Sequence, residues 1–131
     1  MRILIVEDDF TSRKLLHGIL LPYGQCDVAV DGEEAIKAFE IAWKEVKPYD
    51  LICLDIMMPN IDGQQALLRI REMEEEMGVD QTEAVKVIMT TALNDPKNVF
   101  ASLYKGCAAS YLVKPYTKSN VIDELRQLKF I

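Results

Sequence analysis

Short apolar runs rich in β-branched residues alternate along the chain with longer segments of helical periodicity. Five of these runs are predicted strands: Ile3–Val6, Val28–Val30, Leu51–Leu54, Val85–Met89 and Tyr111–Val113. Strands that are almost entirely apolar and are separated by helices favour a parallel sheet with helices on both faces. The expected fold is α/β, a doubly wound (βα)5 domain with a five-stranded parallel sheet.

Capping residues and glycines mark the boundaries of the predicted helices. Asp31, Asp62 and Thr117 each precede a helical segment and are expected to be N-caps. Asp95-Pro96 predicts the start of a further helix between the fourth and fifth strands, and Gly106 predicts its end. The order of elements is therefore strand, helix, repeated along the whole chain.

Length and charge narrow the class of protein. With 131 residues and half of them hydrophobic, the chain is expected to form one domain, residues 1–131. The net charge of −6 gives no electrostatic reason for direct binding to nucleic acid or to an anionic membrane. Three widely spaced cysteines, Cys26, Cys53 and Cys107, and an N-terminus without a signal peptide or spanning helix indicate a cytoplasmic protein.

Polar residues follow four of the five predicted strands. Glu7, Asp8 and Asp9 come directly after the first strand and Asp55 ends the third, while Thr90-Thr91 and Lys114 follow the fourth and fifth. In a doubly wound sheet, ligands bind outside the carboxyl ends of the strands. The candidate functional site is therefore expected at this edge of the sheet.

Adjacent carboxylates at the end of a buried strand need a positive partner, because unpaired buried charge is costly. Two or three carboxylates with backbone carbonyls suit Mg²⁺, which also binds phosphate oxygens. Without the metal, the carboxylates are expected to titrate as a coupled set with raised pKa values. A carboxylate beside Mg²⁺ can also attack phosphorus, and Asp55 is the best placed to do so.

Four motifs together resemble the receiver domain of bacterial response regulators. They are "VEDD" at 6–9, "LDIMMPNIDG" at 54–63, "VIMTTA" at 87–92 and "YLVKPY" at 111–116. The resemblance spans essentially the whole chain. It implies a flavodoxin-like sheet with strand order 2-1-3-4-5.

The resemblance also implies roles for the acidic residues. Asp55 matches the phosphoacceptor, and Asp8 and Asp9 match the acid pair. Asp9 would be a direct Mg²⁺ ligand, and the backbone carbonyl of Met57 a further one.

The remaining motif residues match the family's switch and phosphate-binding groups. Thr91, followed by a small residue, matches the switch hydroxyl, with Thr90 as the alternative one residue earlier. Lys114 matches the phosphate-binding lysine, and Pro115 the cis proline that follows it. Tyr111 matches the aromatic residue that changes rotamer when the switch hydroxyl moves.

By this resemblance the chain is a signalling switch and not a conventional enzyme. It would take a phosphoryl group from a sensor histidine kinase or a histidine phosphotransfer protein. Phosphorylation would then shift the surface formed by the helix before the fifth strand, the fifth strand and the last helix, where Tyr104, Lys105 and Lys118 are candidate contacts.

Two alternatives stay open for the chain. Besides a stand-alone regulator that acts through an unidentified protein target, it is consistent with a receiver excised from a longer DNA-binding or enzymatic regulator. A Mg²⁺-dependent phosphohydrolase is a remote alternative, since such enzymes also form an aspartyl phosphate.

Overall fold

The computed structural model describes residues 1–92 and 108–131. The helix predicted between the fourth and fifth strands, from Asp95-Pro96 to Gly106, lies outside the described residues. So do Cys107 and the candidate contacts Tyr104 and Lys105. Cys26 is half-buried and Cys53 is buried, and both are free thiols.

The sheet has the predicted number and direction of strands. In the described parts of the chain its five strands are parallel and lie in the order β2-β1-β3-β4-β5. The strands are β1 Arg2–Val6, β2 Gln25–Ala29, β3 Leu51–Asp55, β4 Lys86–Ala92 and β5 Ser110–Lys114. The predicted fold class and strand order are confirmed.

Four α-helices connect or follow these strands in the described part of the chain. They are α1 Phe10–Leu20, α2 Gly32–Lys44, α3 Gly63–Glu76 and α4 Lys118–Gln127, and a 3₁₀ turn, Leu21–Tyr23, follows α1. The predicted N-caps are confirmed: the Asp31, Asp62 and Thr117 side chains each accept a backbone N–H of the first helical turn. Within residues 1–92 and 108–131, no helix has the length and hydropathy that crossing a membrane requires.

Two strands differ from their predicted bounds by three residues at one end, and the other three differ by one residue at one or both ends. β2 begins at Gln25, three residues before Val28, because backbone pairing with β1 starts at Arg2 opposite Gln25. β2 is an edge strand, and its exposed polar residues interrupt the apolar pattern from which a strand is predicted. β4 continues through Thr90 and Thr91 to Ala92, because pairing with β3 and β5 keeps these residues in the ladder.

The sheet separates two hydrophobic cores. The α2–α3 core packs helices α2 and α3 against strand residues that include Leu4, Val6, Ile52, Leu54, Val87 and Met89. The α1–α4 core packs α1 and α4 against Ile3, Ile5, Leu51, Cys53, Ile88 and Leu112. Successive strand residues therefore face opposite cores, as the pleat of a strand requires.

This alternation decides which side chains meet at the carboxyl edge of the sheet. Glu7, Asp55, Thr90 and Lys114 each follow, two residues later, a strand residue of the α1–α4 core. They therefore continue that face of the sheet, whereas Thr91 follows Met89 and continues the α2–α3 face. One face thus presents carboxylates, a hydroxyl and an ammonium side by side.

Gly63 sets the close approach between the start of α3 and the end of β3. Its N–H donates to the Ile56 carbonyl at 2.9 Å, and a Cβ at this position would lie 2.2 Å from the backbone oxygen of Asp55. Because the obstructing atom is backbone, a side chain at Gly63 would have to displace the end of β3 itself.

Gly63→Ala is expected to destabilise the protein by about 1–3 kcal/mol, since the extra methyl group forces this backbone apart. Gly18→Ala is the matched control, because Gly18 lies within α1 with no atom within 4 Å of a built Cβ. That change is expected to stabilise the protein by about 0.5–1 kcal/mol. Urea unfolding of both variants measures the difference, and equal stabilities would contradict the assigned clash.

Candidate functional site

Three carboxylates meet at the carboxyl edge of the sheet. Glu7 and Asp8 follow β1, Asp55 ends β3, and one oxygen from each lies within 4.8 Å of the others. Asp8 is exposed, but Glu7 is only 1% and Asp55 only 3% exposed. A cluster of this kind brings together negative charges that water screens poorly, so it needs a cation.

Lys114 supplies the nearest positive charge. Its Nζ donates to Glu7 Oε2 at 2.8 Å and lies 3.4 Å from Asp55 Oδ2. The other oxygens are held by backbone: Asp55 Oδ1 accepts the Met57 N–H at 3.1 Å, and Glu7 Oε1 accepts the Asp9 N–H at 3.2 Å. The two buried carboxylates are therefore fixed in orientation.

The expected rise in carboxylate pKa holds for Asp55 and not for Asp9, whose pKa is lowered. Burial, and then the neighbouring Glu7 carboxylate, raise the pKa of Asp55 to about 7, although Lys114 and the Met57 N–H oppose this. Burial disfavours the charged form of Lys114, but its contacts with Glu7 and Asp55 raise its pKa overall. At neutral pH the lysine is charged while Asp55 is poised between its two states.

The structure places Asp9 differently from the sequence-based assignment. Its carboxylate caps α1 by accepting the Ser12 N–H at 2.9 Å, and this hydrogen bond lowers its pKa. Asp9 is exposed, and the acidic cluster among the described residues contains Glu7 in its place. The acid pair that faces Asp55 is therefore Glu7 and Asp8.

Strand periodicity is the signal that identifies Glu7. Because Ile3 and Ile5 face the α1–α4 core, a residue two positions later continues the face of Asp55. Asp9, immediately before the first turn of α1, occupies the usual N-cap position for an aspartate. The assignment of Asp9 as a metal ligand remains a prediction, and the cluster with Glu7 and Asp8 is the alternative that the geometry offers.

The two threonines of β4 are both buried, at 1% exposure each. The Thr91 hydroxyl lies 3.4 Å from the Ala92 carbonyl, while the Thr90 hydroxyl has no hydrogen-bond partner among the described residues. Tyr111 is 41% exposed at the edge of the sheet. The Lys114–Pro115 peptide bond is cis, as predicted.

The donor set fits a hard divalent cation. Mg²⁺ binds oxygen at about 2.1 Å, so opposite ligands in an octahedral shell lie about 4.2 Å apart. The oxygens of Glu7, Asp8 and Asp55 lie within 4.8 Å of one another, so small shifts would let all three bind one such cation. The described cluster offers carboxylate oxygens and no thiolate or imidazole, which favours Mg²⁺ over softer metals.

A doubly wound parallel sheet with this strand order defines a flavodoxin-like domain, and its carboxyl edge carries acids, a lysine and hydroxyls. The family model of the response regulator receiver domain matches residues 3–126. The chain belongs to this family of two-component signalling proteins.

Curated relatives include proteins of about the same length as this chain and proteins about twice as long. Chemotaxis protein CheY of Listeria monocytogenes is 30% identical over 127 residues, which cover 97% of each chain. Other curated relatives, named as transcriptional regulators, are 30–35% identical, and the chain spans about half of their length, 44–47%.

Solved structures show the same fold. CheY in the CheX–CheY–BeF3–Mg complex of Borrelia burgdorferi superposes with a TM-score of 0.81 at 30% identity, covering 98% of this chain and 88% of that one. The Saccharomyces cerevisiae co-crystal structure of the phosphotransfer protein Ypd1 with the Ssk1 receiver matches with a TM-score of 0.81 at 26% identity, covering 97% and 87%.

Asp55→Asn is expected to stabilise the metal-free protein above pH 7. The raised pKa of Asp55 means that its ionisation opposes folding, and this cost grows as pH rises from the unfolded value of 3.8 to about 7. Allowing for solvent screening, the gain is expected to be about 1–2 kcal/mol at about pH 8 and less than half of that at about pH 5. Urea unfolding in a chelator at both pH values tests this, and a pH-independent difference would contradict it.

Proposed function

We propose that this receiver domain is a phosphorylation-dependent switch that accepts a phosphoryl group on Asp55 with the help of Mg²⁺. The observation that carries the proposal is the surroundings of Asp55. Its buried carboxylate lies within 4.8 Å of two further acids and 3.4 Å from Lys114 Nζ. A nucleophile between a cation site and a lysine is suited to phosphoryl transfer.

The proposed metal ligands are Glu7, Asp8 and Asp55, with the backbone carbonyl of Met57. Glu7 here replaces Asp9, whose carboxylate caps α1. Bound Mg²⁺ would supply positive charge to the oxygens of the transferred group. Since Glu7 and Asp55 already face each other, metal binding relieves a repulsion that the fold imposes.

The proposed phosphoryl transfer to Asp55 requires no proton donor. An Asp55 oxygen forms a bond to phosphorus while the bond between phosphorus and the partner's histidine nitrogen breaks, and the electron pair leaves with that nitrogen. Lys114 neutralises charge on the phosphoryl oxygens, which requires it to leave its position between Glu7 and Asp55. Thr91 is proposed as the switch hydroxyl from its match to the receiver motif, and since its side chain continues the α2–α3 face, reaching the phosphoryl group requires the end of β4 to move.

Phosphorylation is proposed to change the edge of the sheet at β5. If Lys114 and Thr91 reorganise around the phosphoryl group, both neighbouring strands are affected at the register pairs Thr91–Val113 and Ala92–Lys114. Tyr111 lies on β5 with 41% exposure, which leaves room for a change of rotamer. The proposed output surface includes β5 and α4, together with the residues that precede β5.

A sensor histidine kinase or a histidine phosphotransfer protein is the proposed phosphoryl donor. The likeness to the Ssk1 receiver, crystallised with Ypd1, supports a donor of this kind. The family match favours this function over a Mg²⁺-dependent phosphohydrolase. The downstream target is proposed to be a protein, with no direct binding to nucleic acid, since the chain carries a net charge of −6.

The domain organisation and location are also proposals. Residues 1–131 are proposed to form a single receiver domain in the cytoplasm. The family match over 3–126 and the CheY relatives of similar length support the first, and the free thiols of Cys26 and Cys53 support the second.

Incubation with acetyl phosphate and Mg²⁺ is expected to add the mass of one phosphoryl group to the intact protein. Asp55→Ala is expected to abolish the gain because it removes the nucleophile, and a chelator is expected to abolish it by withdrawing the metal. Intact-protein mass spectrometry checks the result. A gain that survives Asp55→Ala would place the phosphoryl group elsewhere.

Asp8→Asn and Asp9→Asn separate the two assignments of the acid pair. Asp8→Asn is expected to weaken Mg²⁺ binding at least about tenfold, because it removes a charged ligand from the cluster. Asp9→Asn is expected to leave the affinity within about twofold, since asparagine is an equally good N-cap. Calorimetric titration with Mg²⁺ measures both, and the reverse pattern would restore Asp9 as the ligand.

A further inference from the structure

Thr90 carries a buried hydroxyl that the site described so far does not use. The residue is 1% exposed, and its Oγ1 has no hydrogen-bond partner among the described residues. Buried hydroxyls are nearly always paired, because an unpaired one loses its hydrogen bonds with water without replacement. The location of the unpaired Thr90 hydroxyl relative to the site is therefore informative.

Thr90 lies directly beside Asp55. The two residues are register partners in the β3–β4 ladder, and on its other side Thr90 is paired with Leu112 of β5. Thr90 follows Ile88 by two residues, so its side chain is on the α1–α4 face, as is that of Asp55. Neighbouring side chains on one face of a sheet are within reach of each other.

The contact between Asp55 and Lys114 spans β4, the strand that carries Thr90. Asp55 is on β3 and Lys114 on β5, with β4 between them, and yet Oδ2 and Nζ are 3.4 Å apart. The β4 residue on this face, in register with Asp55, is Thr90. The Thr90 side chain therefore neighbours the Asp55 carboxyl group, whose Oδ1 is held by the Met57 N–H and whose Oδ2 faces Lys114.

We infer that Thr90 is a positioning residue for phosphoryl transfer, which rests on the function proposed above. When Lys114 turns to the incoming phosphoryl group, Asp55 Oδ2 loses its nearby donor. The Thr90 hydroxyl then donates a hydrogen bond to Oδ2 and keeps the Asp55 carboxyl group in its reactive orientation. This role differs from that of the switch hydroxyl, since Thr91 follows Met89 onto the opposite face.

Thr90 takes no part in the bond changes of the phosphoryl transfer step. With acetyl phosphate as the donor, an Asp55 oxygen bonds to phosphorus while the bond from phosphorus to the acetate oxygen breaks, and acetate leaves with the electron pair. Thr90 keeps its proton throughout, so its contribution is orientation alone.

The test compares Thr90→Val, which removes the hydroxyl at nearly constant shape, with Thr90→Ser, which keeps it. Phosphoryl incorporation from acetyl phosphate at saturating Mg²⁺ is followed by intact-protein mass. Thr90→Val is expected to react about fivefold to tenfold more slowly, as for the loss of one hydrogen bond, and Thr90→Ser to stay within about twofold of the parent. The urea midpoint of Thr90→Val should be no lower than that of the parent, because the lost hydroxyl was unpaired.

Tyr116→Phe is the matched control. Tyr116 packs against the same α1–α4 core, and its hydroxyl is also buried without a partner among the described residues, but it is not in register with Asp55. This variant is expected to react at the parent rate. Calorimetry should give all three variants the parent's Mg²⁺ affinity, since none of them changes a proposed metal ligand.

Three results would overturn the role of Thr90. The first is a parent-like rate for Thr90→Val, and the second is a Thr90→Ser variant as slow as Thr90→Val. The third is a Tyr116→Phe variant as slow as Thr90→Val, because that result would indicate a water shared by both hydroxyls. A parent protein that takes up no phosphoryl group would be a different failure, because it overturns the proposed function and the role of Thr90 with it.

Discussion

The ion pair between Glu7 and Lys114 is the contact on which the site depends. It joins residues 107 positions apart in sequence, one directly after β1 and one at the end of β5, at 2.8 Å. Glu7 and Asp55 are both buried, and without the lysine their two negative charges would face each other in a medium that screens them poorly. The lysine therefore permits the fold to bury two carboxylates side by side. Under the proposed function, the lysine is also the group that must move when a phosphoryl group arrives.

The parallel sheet explains how five separate chain segments produce one site. Because every strand runs in the same direction, all carboxyl ends lie at one edge, and the pleat sends alternate side chains to opposite cores. Glu7, Asp55, Thr90 and Lys114 share a face because each lies two residues beyond a buried strand residue of the α1–α4 core. Gly63 completes the geometry, since its missing side chain lets α3 start against the backbone of Asp55.

Local signals were enough to predict much of this arrangement. Apolar runs located the five strands, and Asp31, Asp62 and Thr117 marked helix starts, because N-capping needs only a short polar side chain before a helical turn. The beginning of β2 was missed, since an edge strand with exposed polar residues lacks a clear apolar pattern. Asp9 was placed in the metal site by motif matching, whereas its carboxylate caps α1. Two adjacent acids differ little in sequence, and the face of the strand distinguishes them.

From the sequence alone come the α/β class, which the fold confirms, and the predictions of a site at the carboxyl edge of the sheet and of Asp55 and Lys114 as its central residues. These follow from local periodicity and from the polar residues that end each strand. The tertiary structure was needed to show that Glu7 pairs with Lys114, that the Asp9 carboxylate caps α1, and that Thr90 is in register with Asp55. The reason is physical: the register between strands and the distances between side chains come from packing the whole sheet, and no local pattern encodes them.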